Sequence, residues 1–291
     1  MRYNVYMERT VILYHGGCPD GFGGAYAAWK KFGDSVEYIG LKRGEELPAS
    51  LEGAHLYFID FCYPQEQMDH FVSIASKVTV LDHHEGVADV IQSMPEYVYE
   101  TDMSGAGIAW RYFHPEAPLP ILLAHVQDDD LFKFELPDTR AVMAYLEVQP
   151  LTFEFWDDVA RTLDDETKRE ALFEKTRIYA EYFVLLAEEA CSHAKLVSFE
   201  GMEIYYCASH PMKSMKSLIG NMLARKKGPC ALVVTAHPNG YGVSIRGDGS
   251  VDVSKIAQKF GGNGHPDASG FLIPREGPFP WTIIEDEAAR D

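Results

Sequence analysis

Residues 78–86 read VTVLDHHEG: a β-branched apolar run that ends on a carboxylate and two imidazoles, Asp82, His83 and His84. One polar residue at a strand end is ordinary turn chemistry. Three in a row are equipment for holding something. Two other apolar runs end the same way, TVILYH (10–15) on His15 and HLYFID (55–60) on Asp60. Asp20 follows His15 within GGCPDGF, and QDDD (127–130) closes the apolar segment PILLAHV. Carboxylates gathered at one rim repel one another unless cations fill the gap, and imidazoles beside them add further ligands. Mixed oxygen and nitrogen donors suit Mn²⁺, with Fe²⁺ or Zn²⁺ as further candidates. Two such ions roughly 3.5–4 Å apart can clamp the attacking and leaving oxygens of a phosphoryl displacement. The triplet then has room for a metal ligand, an imidazole facing the substrate and a carboxylate behind it.

These residues need a scaffold that brings separate strand ends together. The first half of the chain alternates strand and helix signals. VEYIGL (36–41) and YVYE (97–100) join the three runs above as strands, and PQEQMDHFVSIASK carries helical spacing after Pro64 at a first-turn position. Alternation of this kind predicts an α/β fold with a parallel sheet covered on both faces. In such a sheet ligands bind beyond the carboxyl ends of the strands. Residues 165–195 contain neither Gly nor Pro and predict one long helix joining two lobes. Strands at AKLVSF, EIYYCA, CALVVTA and YGVSIRG predict a second, smaller α/β lobe. The expected division is 1–150, a helical linker 151–195, a second domain 196–280 and a tail 281–291.

Composition bounds the partners. With 44 acidic and 26 basic residues in 291, the net charge is −18, which argues against long duplex DNA or an anionic membrane as the ligand. A short oligonucleotide or another phosphate-containing molecule at a local site stays compatible with it. Five scattered cysteines without CxxC pairing argue against a disulfide framework or zinc knuckle. No run approaches a membrane span and the first residues lack a signal-peptide pattern, so the expectation is a cytoplasmic, soluble protein.

LDHHEG, HGGCPDGFGG, YFIDF and VQDDDLF together resemble the four signature motifs of the DHH phosphoesterase superfamily, in order. Residues 243–271, with GGNGH, resemble the DHH-associated substrate-binding domain of the same proteins, which include RecJ-like nucleases, oligoribonucleases and exopolyphosphatase-related enzymes. The resemblance covers nearly the whole chain. It implies an N-terminal parallel-sheet catalytic domain and two divalent ions, Mn²⁺ first, with Fe²⁺, Zn²⁺, Co²⁺ or Mg²⁺ as other occupants. Carried over by position, it makes His15, Asp20, Asp60, His83 and an Asp of 128–130 the ligands, with Asp60 bridging. It sets His84 towards the scissile phosphate and Asp82 behind an imidazole. Gly261, Gly262 and Gly264 would let backbone amides approach an anion, with Arg246 and His265 adding charged contacts. One position departs from the pattern: Cys18 stands where the family usually carries a further Asp, either as a thiolate ligand or, on the preferred reading, as a weak ligand or none.

The implied activity is hydrolysis of phosphodiester bonds in short oligonucleotides or linear dinucleotides. An exopolyphosphatase is the alternative, and a non-catalytic nucleotide sensor the third reading. Several plainer roles compete. Asp60 could cap the helix after Pro64. Asp128 fits the end of an apolar helix and is the preferred ligand, with Asp130 close behind. SGAG (104–107) could bind phosphate or simply pack closely. The histidines outside the motifs, His55 and His125 among them, read as structural or surface residues. The long helix reads as a linker whose apolar stripe could alternatively form a homodimer contact. The two lobes are expected to act as a clamp on the substrate.

Overall fold

The computed structural model describes residues 9–41, 50–209 and 212–284. Strands and helices alternate first: β1 (Thr10–His15), α1 (Pro19–Phe32), β2 (Glu37–Leu41), β3 (His55–Ile59), α2 (Gln65–Ile74), β4 (Lys77–Asp82), α3 (Ala88–Gln92) and β5 (Glu96–Tyr99). The chain then turns helical through α4 (Gly105–Phe113), α5 (Ile121–Asp130), α6 (Thr139–Glu147), α7 (Phe153–Asp164) and α8 (Glu166–Ser192). The remainder is β6 (Lys195–Phe199), β7 (Met202–Ala208), α9 (Lys213–Lys226), β8 (Cys230–His237), β9 (Gly240–Gly247), α10 (Val253–Lys259), β10 (Asn263–His265), β11 (Ala268–Pro274) and β12 (Thr282–Ile283). None of the described helices is long and apolar enough to cross a membrane.

The chain forms two compact units, Met1–Arg177 and Ile178–Asp291. The first holds an all-parallel sheet in the order β2-β1-β3-β4-β5. Its inner strands are apolar on both faces, as a sheet covered by helices on each side requires: Val11, Ile12, Leu13, Leu56, Phe58 and Ile59 are all fully buried. Met68 and Phe71 of α2 and Ile91 of α3 close one face. The strand order reverses between β1 and β3, so a crevice opens at their carboxyl ends. His15 and Asp60 sit there.

The second unit contains a seven-stranded sheet ordered β10-β11-β9-β8-β7-β6-β12, antiparallel except for the β7–β8 pair. Its core lies between one sheet face and α10, built from Val197, Ile204, Leu232, Val243, Ile245, Ile256 and Phe271.

Two boundaries differ from expectation. Residues 151–164 belong to the first unit, because Trp156 of α7 is fully buried there, its ring 4.9 Å from that of Phe22. A packed indole anchors this segment in a core, which a linker lacks. The expected tail is partly strand: Thr282 and Ile283 pair antiparallel with Ser198 and Val197 of β6, while residues 285–291 lie outside the described ones.

Candidate metal centre

Asp60 follows β3 directly, and its amide donates to the Leu81 carbonyl at 3.0 Å, continuing the ladder towards β4. Its φ of 62° lies in the left-handed region that Asp enters more readily than most side chains. This turn leaves the carboxylate at the centre of the rim. Oδ2 is 3.2 Å from His15 Nδ1, and Oδ1 is 3.3 Å from His83 Nε2 and 3.9 Å from His84 Nδ1. Burial alone would raise the Asp60 pKa, but the close approach of the His15 and His83 rings overcomes that and holds it at about 2. The same contact, with one from Cys18, lifts His15 to about 10.

His83 Nε2 faces three carboxylates: Asp60, Asp130 Oδ2 at 3.4 Å and Asp20 Oδ2 at 3.9 Å. It is buried and has no hydrogen-bond partner of acceptable geometry. A buried nitrogen aimed at converging anionic oxygens, without a hydrogen bond to satisfy it, fits a divalent cation. The donors group as His15 with Cys18 and Asp60, as Asp20 with His83 and Asp130, and as Asp60 with Asp82, His83 and His84. Each group has its ligand atoms within 4.8 Å of one another.

Asp20 reaches the rim from the first turn of α1 and is held by α4. Ser104 caps that helix, and its next two amides donate to the Asp20 carboxylate: Gly105 N to Oδ2 at 2.7 Å and Ala106 N to Oδ1 at 3.0 Å. The SGAG segment therefore spends these donors on a carboxylate of the protein. Gly105 has no room for a side chain, since a Cβ would lie 2.6 Å from Asp60 Cβ and 2.9 Å from Asp20 Oδ2. Burial, then the charges of Asp60 and Asp130, raise the Asp20 pKa well above that of a free carboxyl group. A cation relieves such crowding.

Asp82 is fully buried and acts on its neighbours. Oδ1 accepts the backbone N–H groups of His83 at 2.7 Å and His84 at 3.1 Å, and lies 2.7 Å from His84 Nδ1. That last contact, ahead of an opposing effect of burial, raises the His84 pKa. The His84 side chain is still nearly half exposed.

The fourth motif divides between two carboxylates. Asp130 lies with Asp20 and His83. Asp128, the residue preferred from sequence, has both oxygens engaged elsewhere: with Glu135 N at 2.8 Å, Leu136 N at 3.1 Å and the Thr139 hydroxyl at 2.5 Å. A helix ending in three Asp residues does not reveal which one turns inwards; the contacts of the following loop do. Among the other histidines, His55 pairs with Thr79 at 3.0 Å and His125 with Thr139 at 2.9 Å.

In the second unit, Arg246 and His265 lie on one sheet face, because Ala268 of β11 pairs with Arg246 of β9 on one side and with His265 of β10 on the other. Arg246 donates to the Ile245 carbonyl and the Ser217 hydroxyl. It forms no ion pair among the described residues. Burial lowers its pKa. The GGNGH segment is partly the edge strand β10. Gly264 at φ 144° has no space for a Cβ, which would lie 2.6 Å from the Ala268 carbonyl oxygen, so this glycine has a backbone reason of its own.

Residues 203–280 match the DHHA1 domain family. An uncharacterized protein of Acanthamoeba polyphaga mimivirus is 27% identical over 303 positions, covering 95% of this chain and 70% of its own. A pGpG-specific phosphodiesterase from Vibrio cholerae superposes with a TM-score of 0.53 at 11% identity, over 92% of this chain and 94% of the other. RecJ from Thermus thermophilus, in complex with Mn²⁺, gives 0.50 at 12% identity, over 91% and 49%. At these identities the structural likeness is one of fold.

Proposed function

We propose that this chain, a member of the DHH superfamily with a C-terminal DHHA1 domain, is a metal-dependent phosphoesterase that hydrolyses phosphodiester bonds in linear dinucleotides and short oligonucleotides. The observation that carries this reading is the rim of His15, Asp20, Asp60, His83 and Asp130 around a buried imidazole nitrogen with no hydrogen bond. These residues would hold the divalent ions, with Cys18 beside His15. Mn²⁺ suits the mixed oxygen and nitrogen donors. The bound ions would supply an activated water and offset the charge of the reacting phosphate.

The protein's own groups do the rest. Asp20 is fixed by two amides and keeps lone pairs for a cation. Asp82 binds His84 through Nδ1, so Nε2 is the ring nitrogen left to face the phosphate, stabilise its charge or give a proton to the leaving oxygen. The net charge of −18 favours a short substrate over a long polyanion. The fold shared with a pGpG-specific phosphodiesterase supports this reading.

The test is a panel of substrates with Mn²⁺ after exhaustive chelation: a linear dinucleotide, oligonucleotides of two to five residues, polyphosphate and 3′-phosphoadenosine 5′-phosphate. Dinucleotide turnover should vanish on chelation and return with Mn²⁺. Hydrolysis that survives chelation would overturn the mechanism. Turnover confined to polyphosphate would overturn the substrate class, and binding without turnover across the panel would favour a sensor.

A further inference from the structure

The segment directly after Asp130 is strained and presents an aromatic ring to water. Phe132 and Phe134 both take positive φ, 56° and 51°, and Asp138 follows at 66°. Bulky side chains in the left-handed region persist only where their surroundings enforce it, and such sites cluster where ligands are handled. Here the enforcement is visible. The Asp128 carbonyl accepts from Lys133 N at 3.0 Å and Phe134 N at 3.3 Å. Its carboxylate accepts from Glu135 N, Leu136 N and the Thr139 hydroxyl. Arg177 holds Asp138 with two contacts of 2.6 Å.

The product of this bracing is an exposed ring. Phe132 is 68% exposed, more than any other large apolar side chain among the described residues. Its ring meets that of Phe134 edge-on at 4.9 Å, and the Arg140 guanidinium lies 3.9 Å from the Phe134 ring centre. Arg140 is exposed and forms no ion pair among the described residues; exposed Lys133 reaches the Asp102 carbonyl at 3.4 Å. Glu135 is the segment's other charged group, apart from the paired Asp138. Two residues of chain span at most about 7 Å, so Phe132 cannot lie further than one nucleotide's length from Asp130 along the backbone. An exposed ring in contact with Phe134, on which Arg140 sits, and adjacent in sequence to exposed Lys133, in a strongly acidic chain and beside a phosphate-handling rim, matches a nucleotide better than an apolar partner. Bases stack on aromatic rings whatever their identity, and Arg and Lys suit the phosphate.

We propose that Phe132 is a stacking platform for a nucleobase of the substrate, with Arg140 and Lys133 serving its phosphate backbone. This rests on the phosphodiesterase reading above and adds to it a determinant for base-bearing substrates.

The experiment uses the full chain loaded with Mn²⁺. Binding of a phosphorothioate-linked adenine dinucleotide and of its abasic analogue is compared for the wild type, Phe132→Ala, Phe132→Trp and Arg140→Ala, alongside hydrolysis of the unmodified dinucleotide. Phe132→Ala should weaken binding of the base-bearing ligand about tenfold or more, on the scale of one lost base stack, and raise KM in step. Binding of the abasic analogue should stay unchanged. Phe132→Trp should restore affinity, with indole fluorescence quenched by the dinucleotide beyond the wild-type change. Arg140→Ala should weaken both ligands. If the wild type hydrolyses the dinucleotide while Phe132→Ala binds both ligands as the wild type does, the platform is wrong and the phosphodiesterase reading stands. If the wild type neither binds nor hydrolyses the dinucleotide, both fall.

Discussion

Asp82 Oδ1 and His84 Nδ1 lie 2.7 Å apart, and the same oxygen also accepts the two backbone amides that follow it. One buried carboxylate therefore sets both the path of the chain and the protonation of the ring. With Nδ1 committed to Asp82, Nε2 is the nitrogen available to a phosphate. Asp82→Asn keeps the shape and removes the charge. It should retain metal and lower kcat about 10- to 100-fold, the usual cost of losing an orienting partner. Because Asp82 raises the His84 pKa, its loss should also move the alkaline limb of the kcat profile to lower pH. His84→Ala should keep metal content and lose turnover. Metal analysis and pH–rate profiles check both.

Asp128 and Asp130 separate stability from metal binding. Asp130→Ala should lower metal stoichiometry while leaving the thermal midpoint of the chelated protein nearly unchanged. Asp128→Ala should do the reverse. It removes three hydrogen bonds that hold the segment 131–139, for a loss of about 2 kcal/mol. Elemental analysis with thermal denaturation distinguishes the two.

Asp128 and Asp130 mark how far the sequence reaches. The strand ends carrying His15, Asp60 and Asp82 were legible because apolar β-branched runs define parallel strands and their last residues must lie at one edge. Fold class and most of the rim followed from that. QDDD was not resolvable, since helical spacing puts neighbouring residues on different faces and the outcome depends on the turn after Asp130. Phe134 carried no signal, and Phe132 was legible only as the end of VQDDDLF without a role, because nothing local asks an aromatic residue to adopt positive φ. The strain is imposed by Asp128 from outside the segment.

Proton linkage at the rim has a definite sign. In the chelated protein His15 is raised from 6.5 to about 10, so its stabilising contact is fully present below pH 6.5 and lost as pH rises through 10. Asp60 is depressed from 3.8 to about 2, so its contribution is present above pH 3.8 and lost as pH falls through 2. Metal must displace the proton on His15. Binding at pH 7 should therefore release protons, and affinity should rise with pH across 7–9. Titration calorimetry in two buffers of different ionisation enthalpy measures the release. A proton count of zero at pH 7 would remove the His15–Asp60 pair from the metal site.

Gly105→Ala tests the cradle directly. The added methyl would fall 2.6 Å from Asp60 Cβ and 2.9 Å from Asp20 Oδ2, so either the start of α4 or the two carboxylates must move. Overpacking of this kind costs about 1–3 kcal/mol. The variant should lose stability and, more tellingly, bind metal at least tenfold more weakly. Gly107→Ala serves as a control of helix packing: its methyl would meet the Gln127 side chain at 2.2 Å and no proposed ligand. Comparable metal affinity in the two variants would show that Gly105 shapes the helix and not the site.

Arg246 and His265 share one sheet face across Ala268, and Arg246 is half-buried without a carboxylate to neutralise it among the described residues. Holding an unpaired guanidinium out of water is costly, and an anion recovers part of that cost. Gly220 of α9 makes the space, since a Cβ there would lie 2.6 Å from Arg246 Cγ. These residues are proposed to grip a phosphate of the substrate that does not react. Binding energy from a remote group orients the reacting one, so its loss should reduce turnover as well as affinity. Arg246→Ala or His265→Ala should leave metal content intact and lower kcat/KM on a trinucleotide by more than tenfold, about 1.4 kcal/mol of transition-state stabilisation. A nitrophenyl phosphodiester, which has no second phosphate, should lose far less. Arg246→Lys keeps the charge but not the forked donor, and should fall between wild type and Ala on the trinucleotide alone. Equal losses on both substrates would make Arg246 a packing residue of β9 and α9 and end the phosphate assignment.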